Sequence, residues 1–219
     1  MKNIIKDKLV LSTIGIIILF IVIGSVLAVW DKPVSYIGNF ASSHPFYAPF
    51  VYMALDIISI IIAPVTTIPL IPLFVGLLGE IPMVIYSVIS WTIGGVIVFL
   101  IGRKFGRPVI SKFVSIEEVD KYRKFIPEHY EFVMIILLRI IIPVDLLSYA
   151  LGFFSKISLW KYTLATIIGV IPGAILMIYA GGALITGDIF MASLFVIIGL
   201  GVFVGAGIIW KKLKDKIID

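Results

Sequence analysis

The chain has 219 residues, of which 61% are hydrophobic and 14% charged, with a net charge of +5 and a mean hydropathy of +1.17. A soluble domain carries about a quarter charged residues, so these charges cannot clothe a soluble shell, and the apolar surface has to be buried in lipid. The chain has no cysteine, which excludes disulfides, thiolate nucleophiles and Cys-ligated metals.

His44 and His129 lie far apart in sequence, so no multi-His metal site is expected, and no cofactor is implied. The positive balance fits the Lys/Arg bias of cytoplasmic loops rather than nucleic-acid binding. Isoleucine supplies 44 residues; inside a bilayer it is an apolar helix residue and not a strand signal.

In chain order, residues 1–45 read as an N-terminal transmembrane helix and an external loop. Leu9 to Trp30 carries no charge and follows Lys2, Lys6 and Lys8. It is longer than a signal-peptide core and reads as a retained helix entering from inside. Residues 31–45 read as the loop.

Residues 46–185 form the core of the reading. Phe46 to Gly79 is apolar but broken by Pro64, Pro69 and Pro72, with Asp56 in its first half. Each half is too short to cross about 30 Å of hydrocarbon at 1.5 Å per residue. Two short halves joined by prolines predict a re-entrant hairpin, a backbone tolerated only when buried in protein or lining a cavity. Ile81 to Ile101 predicts a full transmembrane helix ending at Gly102-Arg103-Lys104-Phe105-Gly106-Arg107-Pro108, and Arg103 to Glu131 a cytoplasmic, partly interfacial segment. Phe132 to Ser155 is the second interrupted stretch, with Arg139, Pro143 and Asp145 in its middle. Tyr162 to Leu184 predicts a further spanning helix. Residues 186–219 supply a short loop with Gly187-Asp188, a last helix over Ile189 to Trp210, and a basic cytoplasmic tail.

With this topology all lysines and arginines but Lys32 and Arg139 fall on the inner side, together with both termini. The fold expected is therefore an all-α polytopic membrane protein. It has inverted repeats, each a proline-broken re-entrant helical hairpin followed by a transmembrane helix. Glycine spacing supports the repeat: Gly76 to Gly94 matches Gly152 to Gly169, and Gly94 to Gly102 matches Gly173 to Gly181. Inverted repeats with broken helices are the layout of many secondary transporters, whose sites lie where the breaks meet near the midplane.

Asp56, Arg139 and Asp145 are the charges placed in the apolar layer, where each costs about 2.5–3.5 kcal/mol on insertion scales. One reading pairs Arg139 with Asp145 to hold the second hairpin together. The other builds a polar site where the two breaks meet, with Arg139 on an anionic group and Asp56 or Asp145 coupling a proton or cation. Asp56 has no neighbouring cation in sequence and is the better proton carrier; Asp145 is the expected partner of Arg139. Around the breaks, Pro64, Thr66, Thr67, Pro69, Pro143 and Tyr149 are candidate tip or cavity residues. Thr66 and Thr67 suit freed carbonyls as well as a site, and Tyr149 suits an interfacial aromatic as well as a site. Gly94, Gly95, Gly152, Gly169 and Gly173 are candidate helix-packing positions, and Gly201-x-x-x-Gly205 suits close packing inside the monomer or a dimer face. The Gly102 to Pro108 segment suits a helix end as well as a contact to lipid phosphates.

The run from Arg139 through Pro143, Asp145, Tyr149 and Gly152 to Gly169, Pro172 and Gly173, with Gly94-Gly95 and the Gly102 to Arg107 segment before it, resembles the VTT-domain superfamily, which includes the DedA and SNARE-associated Golgi proteins. The likeness covers roughly residues 50–185. It departs from the bacterial pattern in two places: Val65 to Pro72 contains no second acid, and Asp145 stands where a second arginine is common. The resemblance implies lipid translocation, of polyprenyl phosphates or phospholipids, with proton or sodium coupling in some members.

The function expected is thus a lipid flippase or scramblase of the cell membrane for an anionic headgroup, with membrane lipids and protons or sodium as partners. The alternatives are a secondary transporter of a small ion or solute, and a non-transporting assembly protein. An enzyme is disfavoured because the membrane segments hold no His or Cys that could act as acid, base or nucleophile.

Overall fold

The computed structural model describes residues 31–62, 67–110 and 128–218, and among them every regular element is helical. The expected span over Leu9 to Trp30, the segment 111–127, and the tip residues Pro64 and Thr66 lie outside the described residues.

The first element is α1, Asp31–Ser43. It replaces the loop expected over 31–45. The reason is a stripe of Val34, Ile37 and Ala41 at three- and four-residue spacing, which packs on the first apolar cluster and buries Ala41. Helix α2, Ala48–Ile61, then ends at Ile62, and the chain resumes with a 3-10 turn, Ile68–Leu70, that leads into α3, Ile71–Leu78. The first apolar stretch is therefore two short helices on either side of a break, as the prolines predict.

Helix α4, Glu80–Ile110, runs nine residues past its expected end at Ile101. Gly102 does not stop it. That glycine lies under the second broken segment, where a Cβ would stand 2.9 Å from the Tyr149 carbonyl oxygen, so packing holds the helix straight through it. The second broken stretch is α5, Glu128–Ile141, and α6, Val144–Phe154. Pro143 separates them because it cannot donate to the preceding turn and disfavours helix at Ile142. Helix α7, Leu159–Ile185, absorbs Pro172 without a break, and α8, Ile189–Ile218, follows. Between these two, Gly187 at φ +73° lets the Asp188 amide reach back to the Ala183 carbonyl, and the Asp188 carboxylate then caps α8 through the Met191 amide at 2.9 Å.

Helices α4, α7 and α8 are each long and apolar enough to cross a membrane; α2, α3 with its preceding turn, and α6 are not. Helix α2, with 14 residues, is about 21 Å long. The two halves pack alike, and by exchange. Long helix α4 lies against α2 of its own half and α6 of the other, while long helix α7 lies against α5 of its own half and α3 of the other. Helices α4 and α7 also pack on each other, and α8 rests on α7 and α5.

Glycines allow these approaches. Ile60 of α2 sits on Gly94 as the Arg139 stem of α5 sits on Gly169, where a Cβ would lie 2.5 Å from the arginine Cβ. Tyr149 of α6 sits on Gly102 as Ile71 of α3 sits on Gly181.

Candidate functional site

Asp56 points from α2 into the protein and is 2% exposed. One carboxylate oxygen accepts from the Thr67 hydroxyl at 2.6 Å, just after the break, and the other accepts from the Ser90 hydroxyl of α4. Ser59, one turn along α2, donates to the Asp56 backbone carbonyl at 2.7 Å. Beside this nest the buried Tyr52 and Ser87 hydroxyls bond each other at 2.7 Å. The donors are neutral, so the carboxylate is held without a cation.

Arg139 lies near the end of α5 and is 5% exposed. Its Nη1 donates to the Val144 carbonyl at 2.8 Å. Its Nη2 donates to three hydroxyls: Ser148 of α6 at 3.0 Å, Thr166 of α7 at 3.1 Å, and Tyr162 of α7. Nε is buried with no partner. The guanidinium also lies 5.2 Å from the Tyr162 ring centre, and that ring stacks on Phe99 of α4 at 3.9 Å. The Tyr162 hydroxyl reaches the Gly95 carbonyl at 2.9 Å, tying α7 to α4.

The expected partnership of Arg139 with Asp145 is not a direct ion pair: Asp145 is not among the groups that the guanidinium bonds and acts on it only through its charge at longer range. Asp145 stands in the first turn of α6, half-buried, where the helix N-terminus favours a carboxylate. The break at Pro143 turns the Val144 carbonyl, rather than the Asp145 side chain, toward the guanidinium.

Asp56 and Arg139 share no hydrogen-bond partner. Both lean on α4, at Ser90 and at the Gly95 level, roughly 7.5 Å apart along its axis. Ile60 packs on Gly94 at the level between them. The two broken segments do meet, because the Tyr149 hydroxyl of α6 donates at 3.1 Å to the carbonyl of Ile61, a group freed by the end of α2. Thr67 belongs to the Asp56 nest, whereas Pro69 and Pro143 are exposed beside the breaks.

Of the packing glycines, Gly95 sits against Tyr162 and Val144, and Gly152 sits hard against the Phe99 carbonyl. Gly173 differs: among the described residues nothing lies within 4 Å of the place its Cβ would take. Gly201 and Gly205 are likewise open.

Reading the sequence missed the hydroxyls. Ser90, Ser148, Tyr162 and Thr166 are all 0% exposed and supply most of the ligands to the two charges. Their signal is spacing. Tyr162, Thr166 and Gly169 fall on one helix face, as do Ser87, Ser90 and Gly94.

Arg103, near the far end of α4, covers Phe99 at 4.3 Å and donates at 2.7 Å to the Ile157 carbonyl, so this side chain of the Gly102 to Pro108 segment braces the turn between α6 and α7. Among the described residues no group of three or more His, Asp or Glu is placed to hold a metal ion.

No curated protein and no solved structure matches the chain. A family model described as the VTT domain matches residues 63–184, from the first break to the end of α7, and takes in Arg139 with all of its partners. With more than half of its length matched, from the residues after α2 through the second broken segment and both long helices α4 and α7, the chain belongs to the VTT-domain family of membrane proteins, the superfamily that includes DedA.

Proposed function

We propose that the protein is a lipid translocase, a flippase or scramblase that moves an anionic headgroup such as a polyprenyl phosphate or phospholipid across the membrane. The observation that carries this reading is Arg139: a buried guanidinium whose hydrogen-bond partners are all neutral, with one N–H unpartnered. A buried charge without a counter-charge is costly, and an incoming oxyanion supplies what this one lacks. Asp56, the buried carboxylate of α2, is the group that couples a proton or sodium ion to the movement. The separation of the two charges by Ile60 and Gly94 means that transport runs through a second conformation, in which the broken helices move against α4 and α7.

In this reading the broken segments are re-entrant, both termini are cytoplasmic, and the protein acts as a transporter rather than an enzyme in the cell membrane. The cysteine-free chain makes the sidedness directly testable. A His44→Cys variant should react with an impermeant maleimide from outside, and Lys156→Cys only after the membrane is opened; the reverse pattern inverts the topology.

The function is tested in liposomes carrying a labelled prenyl phosphate or phospholipid. Wild-type protein should move headgroups between leaflets and Arg139→Ala should slow this at least about tenfold, the loss expected on removing a charged partner. Equal rates for both remove Arg139 from the mechanism. Movement of a small solute across the sealed vesicle, with no lipid exchange, assigns the scaffold to solute transport instead.

A further inference from the structure

The hydroxyls around Arg139 have a defined direction. A carbonyl oxygen only accepts, so the Ser148 hydroxyl gives its proton to Val144 O, and the Tyr162 hydroxyl gives its single proton to Gly95 O or to Ser148 Oγ. Both therefore turn lone pairs toward the guanidinium. They act on Arg139 as phosphate oxygens would, as acceptors, and neither can donate to an anion without abandoning its present acceptor. Thr166 accepts from the same Nη2.

The second observation is the empty donor. Nε and Nη2 present parallel N–H groups on one edge of a guanidinium, the edge that takes two oxygens of a phosphate or carboxylate. On this edge of Arg139 the Nε is buried and unpartnered, while Nη2 is shared among three hydroxyls.

We infer that Ser148, Tyr162 and Thr166 occupy Arg139 in place of an oxyanion, and that a phosphate-class oxyanion binds across the Nε–Nη2 edge by displacing them. The inference rests on the role of Arg139 proposed above and deepens it: the Ser148 and Tyr162 hydroxyls, whose protons are held by other acceptors, compete with the substrate and do not assist it. The first oxygen gains at Nε before anything is displaced. The second has to take the place of a hydroxyl on Nη2; the Tyr162 hydroxyl, which only accepts from the guanidinium, keeps its own proton on the Gly95 carbonyl or Ser148 Oγ when it is displaced. The Tyr162 ring keeps its place on Phe99 through stacking that does not involve the hydroxyl.

The experiment uses the full chain purified in detergent, with inorganic phosphate and a short prenyl monophosphate as separate probes, and affinity read by calorimetry or phosphorus NMR. Tyr162→Phe and Ser148→Ala should each bind the prenyl monophosphate about three- to tenfold more tightly than the wild type, the effect of one net hydrogen bond no longer competing. Unchanged or weaker affinity in both variants, each retaining a cooperative unfolding transition, overturns the competition. Arg139→Gln separates this from the reading beneath it. If Arg139→Gln loses binding while the two hydroxyl variants match the wild type, the role of Arg139 stands and the competition alone fails. If Arg139→Gln binds as well as the wild type, or no variant binds either probe, both fall. The same gain with inorganic phosphate identifies the headgroup as sufficient; a gain confined to the prenyl probe identifies a lipid-borne headgroup, and either supports the inference.

Discussion

The two halves of the molecule place one buried charge each, and they solve the same problem with opposite polarity. In the first half Asp56 takes hydroxyl protons from Thr67 and Ser90. In the second, Arg139 gives its protons to the Ser148, Tyr162 and Thr166 hydroxyls and the Val144 carbonyl. The register differs by one turn: Arg139 itself meets the glycine of its long helix, while in the first half Ile60 does so and Asp56 lies four residues earlier. The lesson is that hydroxyl side chains ligate either sign, because rotating the O–H exchanges donor for acceptor. Neutral ligands hold both groups, all but the Arg139 Nε, and put no opposite charge in hydrogen-bond contact with either.

The largest expected effect sets the two charges against each other. In liposomes, Asp56→Asn should leave passive headgroup exchange near wild type and abolish its response to an imposed proton or sodium gradient. Arg139→Ala should lose the exchange itself. If both variants lose exchange equally, the division of labour between the halves is wrong.

Packing gives the next test. Gly152→Ala forces a Cβ against the Phe99 carbonyl and should cost about 1–3 kcal/mol or more in reversible unfolding in detergent. Gly173→Ala fills open space on a helix and should be neutral or up to about 1 kcal/mol stabilising. Equal losses at both sites mean the exchange of arms between halves is not what holds the bundle. Smaller again, Ser90→Ala strips one donor from a buried carboxylate and should cost about 1–3 kcal/mol. Tyr149→Phe removes the one hydroxyl contact from α6 to the end of α2 and should cost about 1 kcal/mol. A larger loss for Tyr149→Phe than for Ser90→Ala would make the junction of the two breaks, and not the charged nests, the tighter point.

The sequence alone determined a good deal. The scarcity of charge put the chain in a membrane, the prolines at Pro64, Pro69 and Pro143 located both breaks, and the rarity of charge in apolar runs singled out Asp56 and Arg139. These are one-dimensional signals: hydropathy, a missing N–H and an ion in the wrong solvent are properties of a residue and its neighbours in the chain. Helix α1 was legible too, in the spacing of Val34, Ile37 and Ala41, but the polar residues of 31–45 masked it.

What Arg139 bonds to was decided only by the tertiary structure. Asp145, six residues away, was the natural partner on the page, yet the turn at Pro143 swings it aside and brings in Tyr162 and Thr166 from more than twenty residues on. Hydroxyls give little warning in an apolar helix, since there they can bond their own preceding carbonyl, as Thr92 and Thr163 do. Their role emerges only when arms from opposite halves pack on one long helix and bring hydroxyl, carbonyl and guanidinium to a common point.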